Sequence, residues 1–121
     1  MRATLLVLAA ALVAQTAAAQ TAGDPVKGKS AFGACAMCHS DVAGKNGFGP
    51  SLFGVVGRTA GTAPGFNYSA AMKGAGPWTP ARLDAFITAP KTAVPGTTMP
   101  FGGIKDAAKR ADIIAYLSTL K

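Results

Sequence analysis

The sequence predicts a single all-α domain in which a few short helices are separated by unusually long loops. Two segments open with a capping residue followed by proline, Asp24-Pro25 and Thr79-Pro80. That pairing starts a helix because the cap oxygen satisfies free N–H groups of the first turn and proline lacks one of them. The C-terminal stretch repeats apolar residues at helical spacing, and no segment alternates apolar and polar residues over a useful strand length. With 121 residues, 15 of them Gly and 8 Pro, the chain has room for one small core and no second.

The N-terminus is set apart first. "MRATLLVLAAALVAQTAAA" carries a basic Arg2, an apolar run from Leu5 to Val13 and the small residues Ala17, Ala18 and Ala19, the layout of a secretory signal. The apolar run is shorter than the ~18 residues of a spanning helix. Cleavage is expected near Ala19, with residues 1–19 as signal peptide, residues 20–121 as the exported domain, and the periplasm as destination.

The first helix is expected to run from Asp24 and Pro25 to about Cys38. From Ser40 to Gly76 the chain is mostly Gly, Pro, Ala and polar residues, relieved by a short helix in "SAAMKG" capped by Ser69. A loop of this length is uncommon in a compact domain unless it wraps a function or a ligand. "PARLDAFITA" puts Leu83, Phe86 and Ile87 on one face and is expected to end at Pro90. The last helix, from about Asp106 to Leu120, has Ala107, Ala111, Ile114 and Leu117 as its stripe. Ile113, Tyr116 and Leu120 widen it, and Lys105, Lys109, Arg110 and Asp112 lie largely outside. That face needs a mate, and the first helix suits, with Gly28 permitting close approach and Phe32 adding bulk.

The chemistry concentrates in "CAMCHS". Cys35, Cys38 and His39 are the chain's two cysteines and one histidine. A dithiol redox site would want a βαβ setting that the sequence lacks. Structural zinc takes four ligands, and only three Cys or His exist. Covalent haem uses all three residues. C-x-x-C-H is the c-type attachment motif, helical spacing puts both sulfurs on one side, and the adjacent imidazole can reach the iron. One haem c, bound through Cys35 and Cys38, is therefore the expected cofactor, and it supplies the core volume that a small domain needs.

The second axial position decides what such an iron does. Met37 lies inside the attachment motif, and Met72 in a short helix is better read as packing. Met99, in "VPGTTMPF", sits between a Pro95-Gly96 turn and Pro100, which holds its backbone extended. His39 and Met99 are the expected metal ligands. The net charge of +7 comes without an Arg-rich run or an interleaving of basic and aromatic residues, so it is read as steering toward an acidic protein and not toward nucleic acid.

These residues resemble the class I cytochrome c family. The likeness covers essentially all of the exported chain through "GKSAFGACAMCHS", "GPSLFGVVGRTAG", "PGFNYSAAMK", Trp78, "APK", "PGTTMPF" and "ADIIAYL". It implies a small cytochrome c fold, three main helices plus a short one, with long loops wrapping one haem. It implies that Pro50 accepts the His39 N–H, that Arg58, Tyr68 and Trp78 hold buried propionates, and that Thr97 lies beside them and the Met loop. Three positions depart from the mitochondrial pattern, since Phe53, Met72 and Phe86 stand where polar residues are found. The resemblance implies a monomeric, non-enzymatic carrier of single electrons. Lys29, Lys45, Lys91 and Lys105 would then face acidic surfaces of a dehydrogenase, bc1-type complex, oxidase or reductase. The alternative is a permanent electron-transfer subunit of a periplasmic dehydrogenase complex.

Overall fold

In the computed structural model, which describes residues 22–121, Asp24 caps the first helix as its sequence requires. The expected signal peptide lies outside the described residues. Asp24 Oδ1 accepts from the N–H groups of Val26 at 2.8 Å and Lys27 at 3.3 Å, and α1 runs Pro25–Ala31. It is shorter than expected. One 3-10 turn follows at Phe32–Ala34, and isolated turns then carry the chain onward, with Ala36 N–H on Phe32 O at 3.0 Å and His39 N–H on Cys35 O at 2.9 Å. Ser30 and Gly33 are poor helix formers, so the winding loosens without being lost.

The next helices also begin at caps. Ser69 accepts from Met72 N–H to start α2, Ala70–Lys73, and Thr79 accepts from Arg82 N–H to start α3, Pro80–Thr88. Pro90 ends α3 as expected, and it also opens a one-turn helix, α4, Pro90–Ala93. Proline disfavours a helical residue before it and is pre-shaped for the first position of a helix, so one residue does both. In the sequence the proline signals only the stop. Asp106 caps α5, Ala107–Leu117. Among the described residues the only strand-like pairing is an isolated bridge between Thr59 and Pro77.

α5 buries Ile113, Tyr116 and Leu117 against α1. Gly28 sits at the crossing, where a Cβ would overlap the Asp112 carbonyl. Asp24 N–H donates to Asp112 Oδ1 at 2.7 Å, and Phe32 meets Tyr116 edge-on with ring centres 5.5 Å apart. Ile113 is 1% exposed, and burying a side chain of that size contributes about 2 kcal/mol. Arg110 departs from expectation. The helical pattern sets it outside the apolar stripe, yet its side chain is 11% exposed, paired to Asp84 of α3 at 2.7 Å, with Nη1 on the carbonyls of Ile104 and Lys105. The stem lies along the protein and the guanidinium gathers α3 and the segment before α5.

Candidate functional site

The turns that prolong α1 present Cys35, Cys38 and His39 together. Both cysteines are half-buried and neither is in a disulfide, and Cys35 packs against the core that also holds Trp78 and Phe86. Burial pushes the Cys35 thiol up, Lys109 draws it partly back, and Cys38 raises it again. His39 Nδ1 lies 2.7 Å from Pro50 O. A carbonyl can only accept, so Nδ1 carries the hydrogen and Nε2 keeps a bare lone pair. Burial holds the imidazole below its ordinary pKa, the Pro50 bond opposes this, and the charge of Arg58 adds to it. The ring is thus neutral and aimed, the state in which imidazole binds a metal.

The Pro50 carbonyl is held from several directions. Gly49 N–H donates to Cys38 O at 2.8 Å, and Gly49 lies so close to the imidazole that a Cβ would collide with it. Ser51, 4% exposed, donates its hydroxyl to Val42 O at 2.6 Å and its N–H to Asn46 Oδ1 at 3.0 Å. Neither Asn46 nor Ser51 stands out in the sequence. "KNG" reads as a turn and "GPS" as loop, and the pairing between them becomes visible only when the loop closes.

Arg58 and Trp78 are neighbours through their backbones, with Trp78 N–H on Arg58 O and Gly57 N–H on Trp78 O, both at 2.8 Å. Arg58 donates Nη1 to Phe53 O at 3.1 Å and Nη2 to Ser51 O at 3.0 Å. Among the described residues its Nε is buried with no partner. Trp78 is buried and leans on Phe86 with ring centres 5.0 Å apart. Tyr68 accepts from Ala63 N–H at 3.1 Å, which leaves its O–H as a donor, and no hydrogen bond joins it to Arg58. Thr97 N–H closes a turn on Val94 O at 3.0 Å, with Gly96 at φ +90°. Thr97 Oγ1 accepts from Met99 N–H at 3.3 Å. Met99 is half-buried and packs on the same core as Cys35. Of the three departures, Phe86 is buried, while Phe53 and Met72 are partly buried.

This donor set fits a haem. Two unlinked thiols stand beside an imidazole with a bare Nε2, and a thioether lies in a separate, tightly turned loop. The unpartnered Arg58 Nε wants an acceptor, and a buried cationic donor is costly to leave without one. A carboxylate of the size of a propionate answers it. A short-helix fold that holds such a site defines a protein built around a covalently attached haem.

The chain belongs to the cytochrome c family, whose model, described as Cytochrome c, matches residues 25–121. It is 54% identical over 101 residues to cytochrome c2 of Rhodopila globiformis, covering 82% of this chain and 95% of that one. It is 46% identical over 121 residues to cytochrome c2 of Rhodomicrobium vannielii, covering 98% and 97%. A solved structure, cytochrome cH from Methylobacterium extorquens, superposes with a TM-score of 0.75 at 48% identity, covering 80% of this chain and 99% of that one. The cofactor is therefore one covalently bound haem c, carried by Cys35 and Cys38, and the protein is an electron carrier. No helix among the described residues is long and apolar enough to cross a membrane.

Proposed function

We propose that this chain is an exported, periplasmic shuttle for single electrons and not an enzyme, with residues 1–19 removed as a signal peptide. His39 and Met99 would hold the haem iron, and Arg58, Tyr68 and Trp78 would receive the propionates, with the Thr97 hydroxyl beside them and the Met loop. The observation that carries the reading is the imidazole held by Pro50 at 2.7 Å with Nε2 bare, beside two unlinked thiols. Bound there, haem supplies a one-electron ferric/ferrous couple. The protein's own work is to hold both axial side chains still, exclude water from the buried donors, and keep the cysteine-bearing edge near the surface. A pre-set site of this kind suits transfer, because little has to move when the charge changes.

Carbon monoxide tests the axial assignment. The reduced wild-type protein should show no prompt difference spectrum at neutral pH, and Met99→Ala should gain one. Prompt binding by the wild type would remove Met99 from the ligand set. Docking by Lys29, Lys45, Lys91 and Lys105, all exposed, would bring an acidic redox partner to the protein. A second reading, the permanent subunit of a dehydrogenase, draws support from three exposed apolar side chains near the attachment motif. Met37 is 85%, Val42 55% and Phe48 91% exposed. Purification of the native protein decides between them, since a permanent subunit co-elutes with its enzyme.

A further inference from the structure

The hydrogen bond from His39 ends on Pro50 O, and the same peptide group presents its N–H through Ser51 on the opposite side. That N–H is taken by Asn46 Oδ1 at 3.0 Å. Asn46 Nδ2 donates in turn to Pro64 O at 2.9 Å. Only one orientation of the amide satisfies both partners, so its oxygen must face Ser51. The four groups form a line, from Pro64 O through the Asn46 amide and the Pro50–Ser51 peptide to His39.

Hydrogen bonds in series polarise one another. An acceptor on Ser51 N–H pushes electron density toward Pro50 O, which makes that oxygen a better acceptor for His39 Nδ1–H. A stronger bond there gives the imidazole more anionic character and makes Nε2 a stronger donor to a metal. Asn46 is well placed for this because the other polar atoms of Ser51 are engaged elsewhere, Oγ with Val42 O and the carbonyl with Arg58.

We propose that Asn46 is a positioning residue for His39, acting through the single Pro50–Ser51 peptide to set the electron-donating strength of the imidazole. The proposal rests on His39 being the iron ligand. It predicts that this asparagine, which hydrogen-bonds to Pro64 and Ser51 and not to the imidazole or either thiol, adjusts the redox balance of the protein. Its bond to Pro64 is a loop latch, and that function is separable from the first.

The test uses the haem-loaded protein and three variants. Asn46→Ala removes both bonds. Asn46→Asp keeps an acceptor for Ser51 N–H and loses the donor to Pro64. Thr62→Val loosens the loop that contains Pro64 by removing the Thr62 Oγ1 bond to Thr59 O, 2.6 Å long, without touching Ser51. Midpoint potential, chemical unfolding and the NMR signals of the His39 ring are read for each. Strengthening per bond of the order expected for coupled hydrogen bonds corresponds to about a threefold change in the ferrous-to-ferric ratio at fixed poise. At 59 mV per tenfold for one electron, that is about 30 mV.

The expected result is a rise in potential for Asn46→Ala with a shift of the His39 Nδ1–H signal, and Asn46→Asp on the wild-type side of alanine in the Nδ1–H signal, since its new carboxylate charge lowers the potential whether or not the relay operates. Thr62→Val should lose stability at unchanged potential. If Asn46→Ala loses stability but leaves the potential and the His39 signal where they were, Asn46 is a latch only and the proposal fails. It fails equally if Asn46→Asp shows the His39 Nδ1–H signal of the alanine variant. His39 ring signals without a paramagnetic shift in the ferric wild type would instead overturn the ligand assignment itself, so the two failures are distinguishable.

Discussion

Arg58 joins two carbonyls of the loop around the site. Its two outer nitrogens hold the carbonyls of Phe53 and Ser51, and its Nε is buried without a partner among the described residues. Arg58→Lys keeps the charge and cannot reproduce the fork, since an ammonium is a point donor. Unfolding of the haem-loaded variant should show a loss of about 2 kcal/mol, the scale of leaving buried polar groups unsatisfied, and a changed midpoint potential. A variant as stable as wild type would mean that the guanidinium geometry is irrelevant. Phe86 presents the opposite case, an apolar ring packed on Trp78 where a hydroxyl has no assigned partner. Phe86→Tyr should shift the midpoint potential, because it adds a dipole to a dry pocket beside the Met loop. It should cost about 1 kcal/mol if the hydroxyl stays unpaired. A potential identical to wild type would show that polarity at this position does not tune the iron. Arg58 was readable in the sequence through its motif. Its unpartnered Nε was not, because burial and partner geometry are properties of the closed loop.

At the scale of elements, the helix starts were legible because a cap acts on residues two or three positions away. Asp24, Ser69, Thr79 and Asp106 each accept from their own helix. What eluded the sequence depends on longer reach or on a proline with two roles. Arg110 looks like a solvated residue because its partner Asp84 lies on another helix, and α4 hides behind a proline that reads equally as a stop. The looser winding from Phe32 to His39 follows from weak local propensity competing with the need to present two thiols and an imidazole. The α1–α5 crossing is the element-scale feature with the clearest test. Gly28→Ala forces a Cβ into Asp112 O, which two rigid helices cannot absorb, and thermal unfolding should show a loss of about 3 kcal/mol or failure to fold. Tyr116 ties the same crossing to the attachment loop by donating its hydroxyl to Asp41. That bond, followed by burial and the charge of Asp41, raises the Tyr116 pKa above its ordinary value. Its stabilising contribution is complete below about pH 10, the phenol's unfolded pKa, and disappears as pH climbs through the raised folded value. Stability of the wild type should therefore fall on the alkaline side more steeply than that of Tyr116→Phe, which should be about 1 kcal/mol weaker at neutral pH. Parallel pH profiles would remove Tyr116 as the cause.

For the molecule as a whole, charge and apolar exposure make different claims about how it meets a partner. The full chain carries +7 at pH 7 with only five acidic residues, one unit of that charge lying on Arg2 in the proposed signal peptide, and Lys29, Lys45, Lys91 and Lys105 are exposed. Charges of this kind accelerate encounter more than they hold a complex together. Their reach is about 8 Å at physiological salt and shrinks to about 3 Å at 1 M. The exposed Met37 and Phe48 act in the other sense, since apolar contact is nearly indifferent to salt and slows dissociation. A mobile carrier steered by lysines should exchange electrons with an acidic partner at a second-order rate that falls about tenfold or more between low and high ionic strength. Lys45→Glu and Lys91→Glu should each flatten that dependence. Phe48→Ser should leave the slope unchanged and shorten the lifetime of the complex. A permanent subunit predicts the reverse, with a salt-independent intracomplex rate, little effect of the lysine variants and release of the chain by Phe48→Ser. Stopped-flow traces across a salt series with these three variants separate the two, and a flat wild-type profile would exclude the steered shuttle.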